Sequence, residues 1–429
     1  MHNTQKVFGV SNEQVESYIE RVDVDTIFLN GLKANKHIIV FGSSKQGKTA
    51  LTNKHLPNKE FVRVNCSPEM HPDDIYKSIL RQQNIHFRIE SSSSTTFEGT
   101  IQGGVKAKVS IPLLGSAEVN GGSSGKVTNT NSTKTVEIDY NLCLPQDISE
   151  ILRRNGFDKR IILENFHYLT EEVQSSMAYH LRVFEDYNIL FIILGIWREK
   201  NRLAQFNGDL QDRLIEVPVE PWKVEDLRAV ATIGEQLLNI SLSQVIDDII
   251  DQSLDSIGVF QELCKESCLA SGVLETQRHT SVITHDCLTK AIQKKVVDYS
   301  SRHIRSIETF AEQKIKVAKE IPLFICYYFI VYLFNLDFKT IDRGLKRADI
   351  QLGIKSIHHR PDDVRASDMS NFLHNITQAQ IRKNIIPPLF DYDRSTKKLK
   401  VIDSTLYFFL RNANKMEILS DLEKPMGLS

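Results

Sequence analysis

Eight residues are spaced to hold a polyphosphate. Gly42-Ser43-Ser44-Lys45-Gln46-Gly47-Lys48-Thr49 reads G-x-x-x-x-G-K-T, with the β-branched apolar run Ile38 to Phe41 before it and a helical pattern from Ala50 after it. Gly42 and Gly47 permit backbone angles closed to other residues, so that successive N–H groups from Ser43 to Ala50 can turn inward on an anion at a helix N-terminus. Lys48 is placed to reach β- and γ-phosphates. The Thr49 hydroxyl is placed to ligate Mg²⁺.

A second stretch, Arg160-Ile161-Ile162-Leu163-Glu164-Asn165-Phe166-His167, is an apolar strand that ends in an acid. A carboxylate at the carboxyl end of a core strand lies beside the phosphate loop, which makes Glu164 the second Mg²⁺ ligand. Asn165 follows it. Many ATPases with this element carry a glutamate there to orient the attacking water, and an amide cannot accept a proton. Slow hydrolysis is therefore expected, or a substitute such as His167. Polar residues just beyond the later apolar strand, from Ile196 to Arg202, would face the γ-phosphate.

The elements that must position these groups alternate. A helix is expected from Ser11, its cap, through Val15, Tyr18 and Ile19, and another over Thr26 to Lys33. Strands at Glu60 to Cys66, Arg160 to Glu164, Ile189 to Gly195 and Ile215 to Val219 are separated by helical stretches at Asp73 to Gln83, Asp147 to Arg154 and Thr170 to Glu185. That order implies a parallel sheet with helices on both faces, an α/β class fold. Residues 88–140 break the rhythm with Ser-, Thr- and Gly-rich tracts around the alternating run Val105 to Ile111, and predict an inserted β-hairpin or small antiparallel sheet projecting from the core. Such an insert is a candidate surface for a protein partner.

From Val224 to Ser301 the period is helical almost throughout, which predicts a bundle, with Gly258 at a turn and a linking helix over Arg302 to Lys319. The last hundred residues read as a buried helix from Ile321 to Phe334 with Pro322 in its first turn, helices over Asp342 to Leu352 and Ala366 to Ile376, and a hairpin around Arg394-Ser395-Thr396. Between Asp337 and Arg411 there are 14 Lys plus Arg against 9 Asp, a local basic excess in a chain whose formal net charge is −1.

Length and composition bound the rest. A chain of 429 residues exceeds one core, and 41% hydrophobic with 25% charged residues is ordinary for a folded protein. Near-neutral charge excludes a protein that coats nucleic acid with its whole surface. The six cysteines are scattered; Cys264 and Cys268, one helical turn apart, read as core thiols rather than as a metal site with His279 and His285. No secretory signal opens the sequence, and the Ile321 to Phe334 run is too short to span a bilayer, so a cytoplasmic protein without membrane contact is expected.

Together these features resemble the AAA+ and STAND class of P-loop ATPases, in particular a bacterial branch similar to origin-recognition proteins. The likeness rests on Glu20-Arg21, the loop Gly42 to Thr49, Ile161 to Asn165, the Leu194 strand end, Arg213 and the exit Glu220-Pro221-Trp222, and covers about residues 15–300. It implies an αβα sandwich over residues 1–222, a helical lid over 223–301 and a linker with a winged-helix domain over 302–429. Within the resemblance Arg21 lies against the base or ribose, Arg213 is the finger serving a neighbouring subunit, and ATP with Mg²⁺ is the ligand. It further implies an ATPase switch that self-associates on binding ATP, acting in antiviral defence, or a replication- or transposition-type ATPase that meets duplex DNA through its winged helix. Two departures stand out. Asn165 replaces the usual acid, which keeps open a scaffold that binds nucleotide without turning it over, and Ile257 to Leu263 lacks the lid arginine of AAA+ members, an absence more like STAND switches, in which bound nucleotide sets a conformation and turnover is slow.

Overall fold

A computed structural model describes residues 1–10, 15–57, 59–89, 106–112, 127–128, 135–312 and 322–425. The strands in chain order are β1 (His37–Phe41), β2 (Phe61–Asn65), β3 (Phe87–Ile89), β4 (Lys106–Pro112), β5 (Val127–Thr128), β6 (Thr135–Asn141), β7 (Arg160–Glu164), β8 (Phe191–Gly195) and β9 (Leu214–Pro218). Five of them form one parallel sheet in the order β2-β7-β8-β1-β9. The expected αβα sandwich is therefore present, with the phosphate loop leaving the second strand from one edge.

Strand alternation builds the two layers. Ile39 and Phe41 point to the face covered by the Pro72–Gln82, Pro145–Arg154 and Glu171–Asp186 helices, while Ile38 and Val40 point to the face of the Val22–Lys33 and Lys48–His55 helices. All five residues of β1 and of β8 are buried, which explains their near-continuous apolar character. His37 opens β1 fully buried, and burial pushes its pKa down to about 4, so the ring is neutral. Nε2 then donates to the Leu181 carbonyl at 2.9 Å and Nδ1 accepts from the Phe191 amide at 3.0 Å, which pins the strand to its neighbours.

The insertion corrects one expectation. Strands β3, β4, β6 and β5 form an antiparallel sheet in that order, but this sheet does not project freely. Ala107, Val109, Tyr140 and Leu142 are buried in the main core with Ile148 and Ile151. The alternation of Ala107, Lys108 and Val109 records a face turned to the core, and the Ser- and Gly-rich tracts at 90–105 and 113–126 lie outside the described residues.

Residues 15–21 form no helix; they run irregularly, held by the Ser17 hydroxyl on the Val7 carbonyl (2.6 Å) and the Tyr18 hydroxyl on Asp25 (2.8 Å). The expected cap, Ser11, is outside the described residues. The lid comprises the helices Val224–Leu238, Ile246–Ser253 and Ile257–Ala270 and the first half of His285–Ala311, with a small parallel pair, β10 (Ile240–Ser241) and β11 (Ser281–Val282). Cys264 and Cys268 are in its core. No separate linking helix starts at Arg302, because His285–Ala311 is one helix of 27 residues that enters both the lid core and the C-terminal core.

The C-terminal body has helices Ile325–Asn335, Phe338–Asp342, Arg347–Ile357, Ala366–His374 and Ile376–Arg382, with β12 (Leu345–Lys346), β13 (Phe390–Asp393) and β14 (Lys398–Val401) in the antiparallel order β12-β14-β13. Pro322 precedes the first of these helices rather than opening it, since the left-handed Phe324 (φ 47°) is the residue at its N-terminus. Two closing helices follow, Ser404–Asn412 and Lys415–Asp421. No helix among the described residues is long and apolar enough to cross a membrane.

Candidate nucleotide site

Gly47 stands at the N-terminus of the Lys48–His55 helix with φ 86°, and Gly42 with φ 153° turns the chain out of β1. Both angles lie where a Cβ is strained, as the motif requires. At Gly42 a Cβ would also meet Val219 Cγ2 at 2.8 Å. Lys48 is half-buried and its ammonium donates to the carbonyls of Gly42 (3.0 Å) and Ser43 (2.6 Å). Burial pushes its pKa down to about 8, against the pull of Glu220 and Glu164.

Glu164 ends β7 where the sequence places it. The Thr49 hydroxyl donates to its Oε1 at 2.7 Å, so the two expected metal ligands are adjacent. A hydroxyl and a carboxylate are the hard oxygen donors Mg²⁺ takes, and this ion commonly uses one or two protein oxygens with phosphate and water completing the shell. The donor set fits. Bound there, Mg²⁺ supplies neutralisation of phosphate charge. Asn165, the residue after Glu164, adopts left-handed angles (φ 59°) and turns the chain into Phe166–Tyr168. His167 is buried with neither ring nitrogen hydrogen-bonded, and burial, then the charges of Lys48 and Arg202, holds it well below its usual pKa. It is a neutral imidazole.

A cavity of about 240 Å³ opens beside the loop, bordered by Tyr18, Arg21, Gln46, Gly47, Trp222 and Gln261. Lys45 to Leu51 also contribute, so the loop and the cavity are continuous. Arg21 is nearly fully buried, donates to the Val219 carbonyl at 2.9 Å, and lies 3.8 Å from the centroid of Trp222. Its guanidinium is thus a wall of the cavity, held by the exit from β9. Burial lowers its pKa, opposed by Asp226 and Asp25.

Other partners of the loop come from far along the chain. Arg198, just beyond β8, places Nε 2.8 Å from the Ser43 hydroxyl and 2.9 Å from Glu220 Oε1, and Ser43 itself donates to Glu220 at 3.1 Å. Burial would depress Arg198; the carboxylate of Glu220 outweighs it and raises the pKa. The Gly258 amide of the lid donates to the Lys45 carbonyl at 3.1 Å. Gly258 is inside the first turn of the Ile257–Ala270 helix, not between helices, because the lid approaches the loop there too closely for a side chain. From the C-terminal body, Ser404 donates through Oγ to the Ser44 carbonyl (2.9 Å) and through its amide to Ser44 Oγ (3.3 Å), and the Ser44 amide donates to Ile402 (3.1 Å).

Arg213 is not brought to this site. It pairs with Glu185 at 2.6 Å and Asp186 at 3.7 Å across the end of the Glu171–Asp186 helix. Arg63, which sequence reasoning did not single out, is brought there: it lies 2.6 Å from Glu164 Oε2. Its signal was a charged residue in the alternating strand at Glu60 to Cys66, indistinguishable there from a solvated arginine.

A glycine-bounded loop between an interior strand of a parallel sheet and a helix, with a lysine, a threonine and a strand-end acid converging on it, defines a P-loop site on an αβα sandwich. Among solved structures the chain is similar to a Walker-type ATPase of Pyrococcus abyssi (11% identity, 94% of this chain and 99% of that one, TM-score 0.48). It is also similar to the Orc1 protein of Aeropyrum pernix solved in complex with DNA (10% identity, 98% and 96%, TM-score 0.44) and to a STAND protein of Pyrococcus horikoshii with a tetratricopeptide repeat sensor (13% identity, 94% and 44%, TM-score 0.36). No family model and no curated protein matches the chain.

Proposed function

We propose that this chain is an ATP- and Mg²⁺-binding switch of the AAA+/STAND type with slow hydrolysis, in which the C-terminal body, read as a winged helix, closes on the phosphate loop. Lys48 and the loop amides bind the phosphates, Thr49 and Glu164 hold Mg²⁺, and Arg21 with Trp222 bounds the base and ribose. The observation that carries the switch is the clasp of Ser44 by Ile402 and Ser404, since a loop tied to the last domain makes phosphate contact and domain position one equilibrium. Asn165 supports slow turnover, as it offers no base to the attacking water. Self-association on ATP, with Arg213 serving a neighbour, and a role in bacterial antiviral defence follow from the resemblance.

The test is nucleotide binding together with mass by light scattering, with and without a slowly hydrolysed ATP analogue and Mg²⁺. Affinity with a nucleotide-dependent change in shape or mass is expected. Affinity with no change, and no turnover even in excess ATP, would leave a nucleotide-binding scaffold.

A second reading, duplex DNA binding, is favoured by the basic excess between Asp337 and Arg411 on a helix-strand-helix-helix-helix-hairpin order. In this arrangement the hairpin turn faces the ATPase core: Arg394 pairs with Glu171 at 3.1 Å, and Gln378 donates to the Leu169 carbonyl at 3.3 Å. DNA affinity that falls steeply between low and moderate salt would support it.

A further inference from the structure

Glu164 has both oxygens engaged. Thr49 donates to Oε1 at 2.7 Å, and Arg63 donates through Nη1 to Oε2 at 2.6 Å. Arg63 belongs to β2, whose register sets Asn65 opposite Glu164 and Arg63 opposite Ile162, so the guanidinium reaches along the strand to the acid at its neighbour's end. Its other nitrogen donates to Asn53 Oδ1 at 2.8 Å and approaches Thr52 Oγ1 at 3.4 Å, both on the helix that begins with Lys48. The guanidinium is also 5.1 Å from the Phe61 ring centroid. Four anchors on three elements fix a cation at the oxygen opposite the one that faces Thr49.

We propose that Arg63 is a positioning residue that holds Glu164 by its far oxygen and sets how much Mg²⁺ the site needs. Resting on the ATP–Mg²⁺ reading above, the inference adds a counter-ion built into the metal position. A fixed positive charge on a ligand carboxylate repels a divalent ion at its other oxygen, so the metal meets a higher electrostatic cost here than beside an unpaired carboxylate. Arg63 thereby raises the Mg²⁺ concentration at which the nucleotide-loaded site fills. The guanidinium is suited to this because it stays charged and its planar fork keeps the carboxylate oriented while the helix is gripped by the second nitrogen.

The experiment is a titration of MgCl₂ against a fixed concentration of a slowly hydrolysed fluorescent ATP analogue, with full-length protein and two charge-removing variants, Arg63→Gln and Arg63→Met. Half-saturating Mg²⁺ is expected to fall on the order of tenfold in either variant, the effect of removing a unit charge a few ångströms from a divalent ion. Arg63→Lys, which keeps the charge, should stay within about twofold of the parent on the same ground. An unchanged or higher Mg²⁺ requirement in a folded variant, or loss of the fold in both, overturns the proposal. Wild-type protein that binds no nucleotide at any Mg²⁺ concentration would instead overturn the ATP–Mg²⁺ reading.

Discussion

The hydroxyl of Ser404 donates to the main-chain carbonyl of Ser44 at 2.9 Å, joining residues 360 positions apart inside the phosphate loop. Asp403 makes that contact possible. It is fully buried, caps the Ser404–Asn412 helix by accepting from the Thr405 and Leu406 amides, and pairs with Arg302. Burial opposes its charge, and Arg302 with His303 holds its pKa below the usual carboxylate range. Ser404→Ala leaves a buried carbonyl short of a partner, at about 1–3 kcal/mol. Release of a fluorescent nucleotide, followed by stopped flow, should quicken about tenfold as the clasp weakens. An unchanged rate would show that the clasp does not govern the loop.

Lys48→Ala removes the ammonium now shared by the carbonyls of Gly42 and Ser43. Charge-assisted bonds to phosphate contribute about 1.5–3 kcal/mol each, so affinity should drop at least about a hundredfold while thermal unfolding stays cooperative. Calorimetry with Mg²⁺-ATP reads it directly.

The same lysine predicts a pH profile. Its pKa is pushed down to about 8, and a bound polyphosphate favours the protonated form, so the pKa is higher in the complex. Affinity should be flat below pH 8 and fall above it, by up to about tenfold per pH unit, as binding takes up a proton. A profile flat to pH 10 would mean that Lys48 does not meet the ligand.

Asn165→Asp should raise turnover, because a carboxylate can accept the proton an amide cannot, and general bases typically contribute about a hundredfold or more. Aspartate tolerates the left-handed φ of 59° that Asn165 adopts, whereas glutamate there would add backbone strain. Phosphate release in excess ATP measures the change. No gain would point to another group, with the unbonded imidazole of His167 first in line.

Gly258→Ala puts a Cβ 2.5 Å from Lys45 Cβ and 2.8 Å from the Lys45 carbonyl. Lid and loop must separate, at about 1–3 kcal/mol of overpacking, seen as a lower Tm and faster nucleotide exchange. A neutral result would show that the lid was never pressed on the loop.

What was legible beforehand is what local pattern encodes. Gly42, Gly47, Lys48, Thr49 and Glu164 sit in one motif and at one strand end, and the fully buried strands β1 and β8 announce themselves as unbroken apolar runs. Contacts between distant segments leave no period. Arg63 is one charge in an alternating strand, Ser404 one serine after an aspartate, and the packing of Phe8 on Gly234, where a Cβ would come within 2.0 Å of the ring, ties the first residues to the lid without any neighbouring signal. Residues 15–21 read as helical because Val15, Tyr18 and Ile19 have the right spacing. Side-chain bonds to Val7 and Asp25 hold them in an irregular path around the cavity instead.

The His285–Ala311 helix is a stiff beam of about 40 Å, its first turns setting Cys287 and Leu288 into the lid core and its last setting Ile307 and Phe310 into the C-terminal core beside Phe329. Anything that tips its near end by 10° swings its far end by about 7 Å, given that length. A ligand that shifts the lid by a fraction of a turn would therefore be felt as a lever stroke at the tail of the chain.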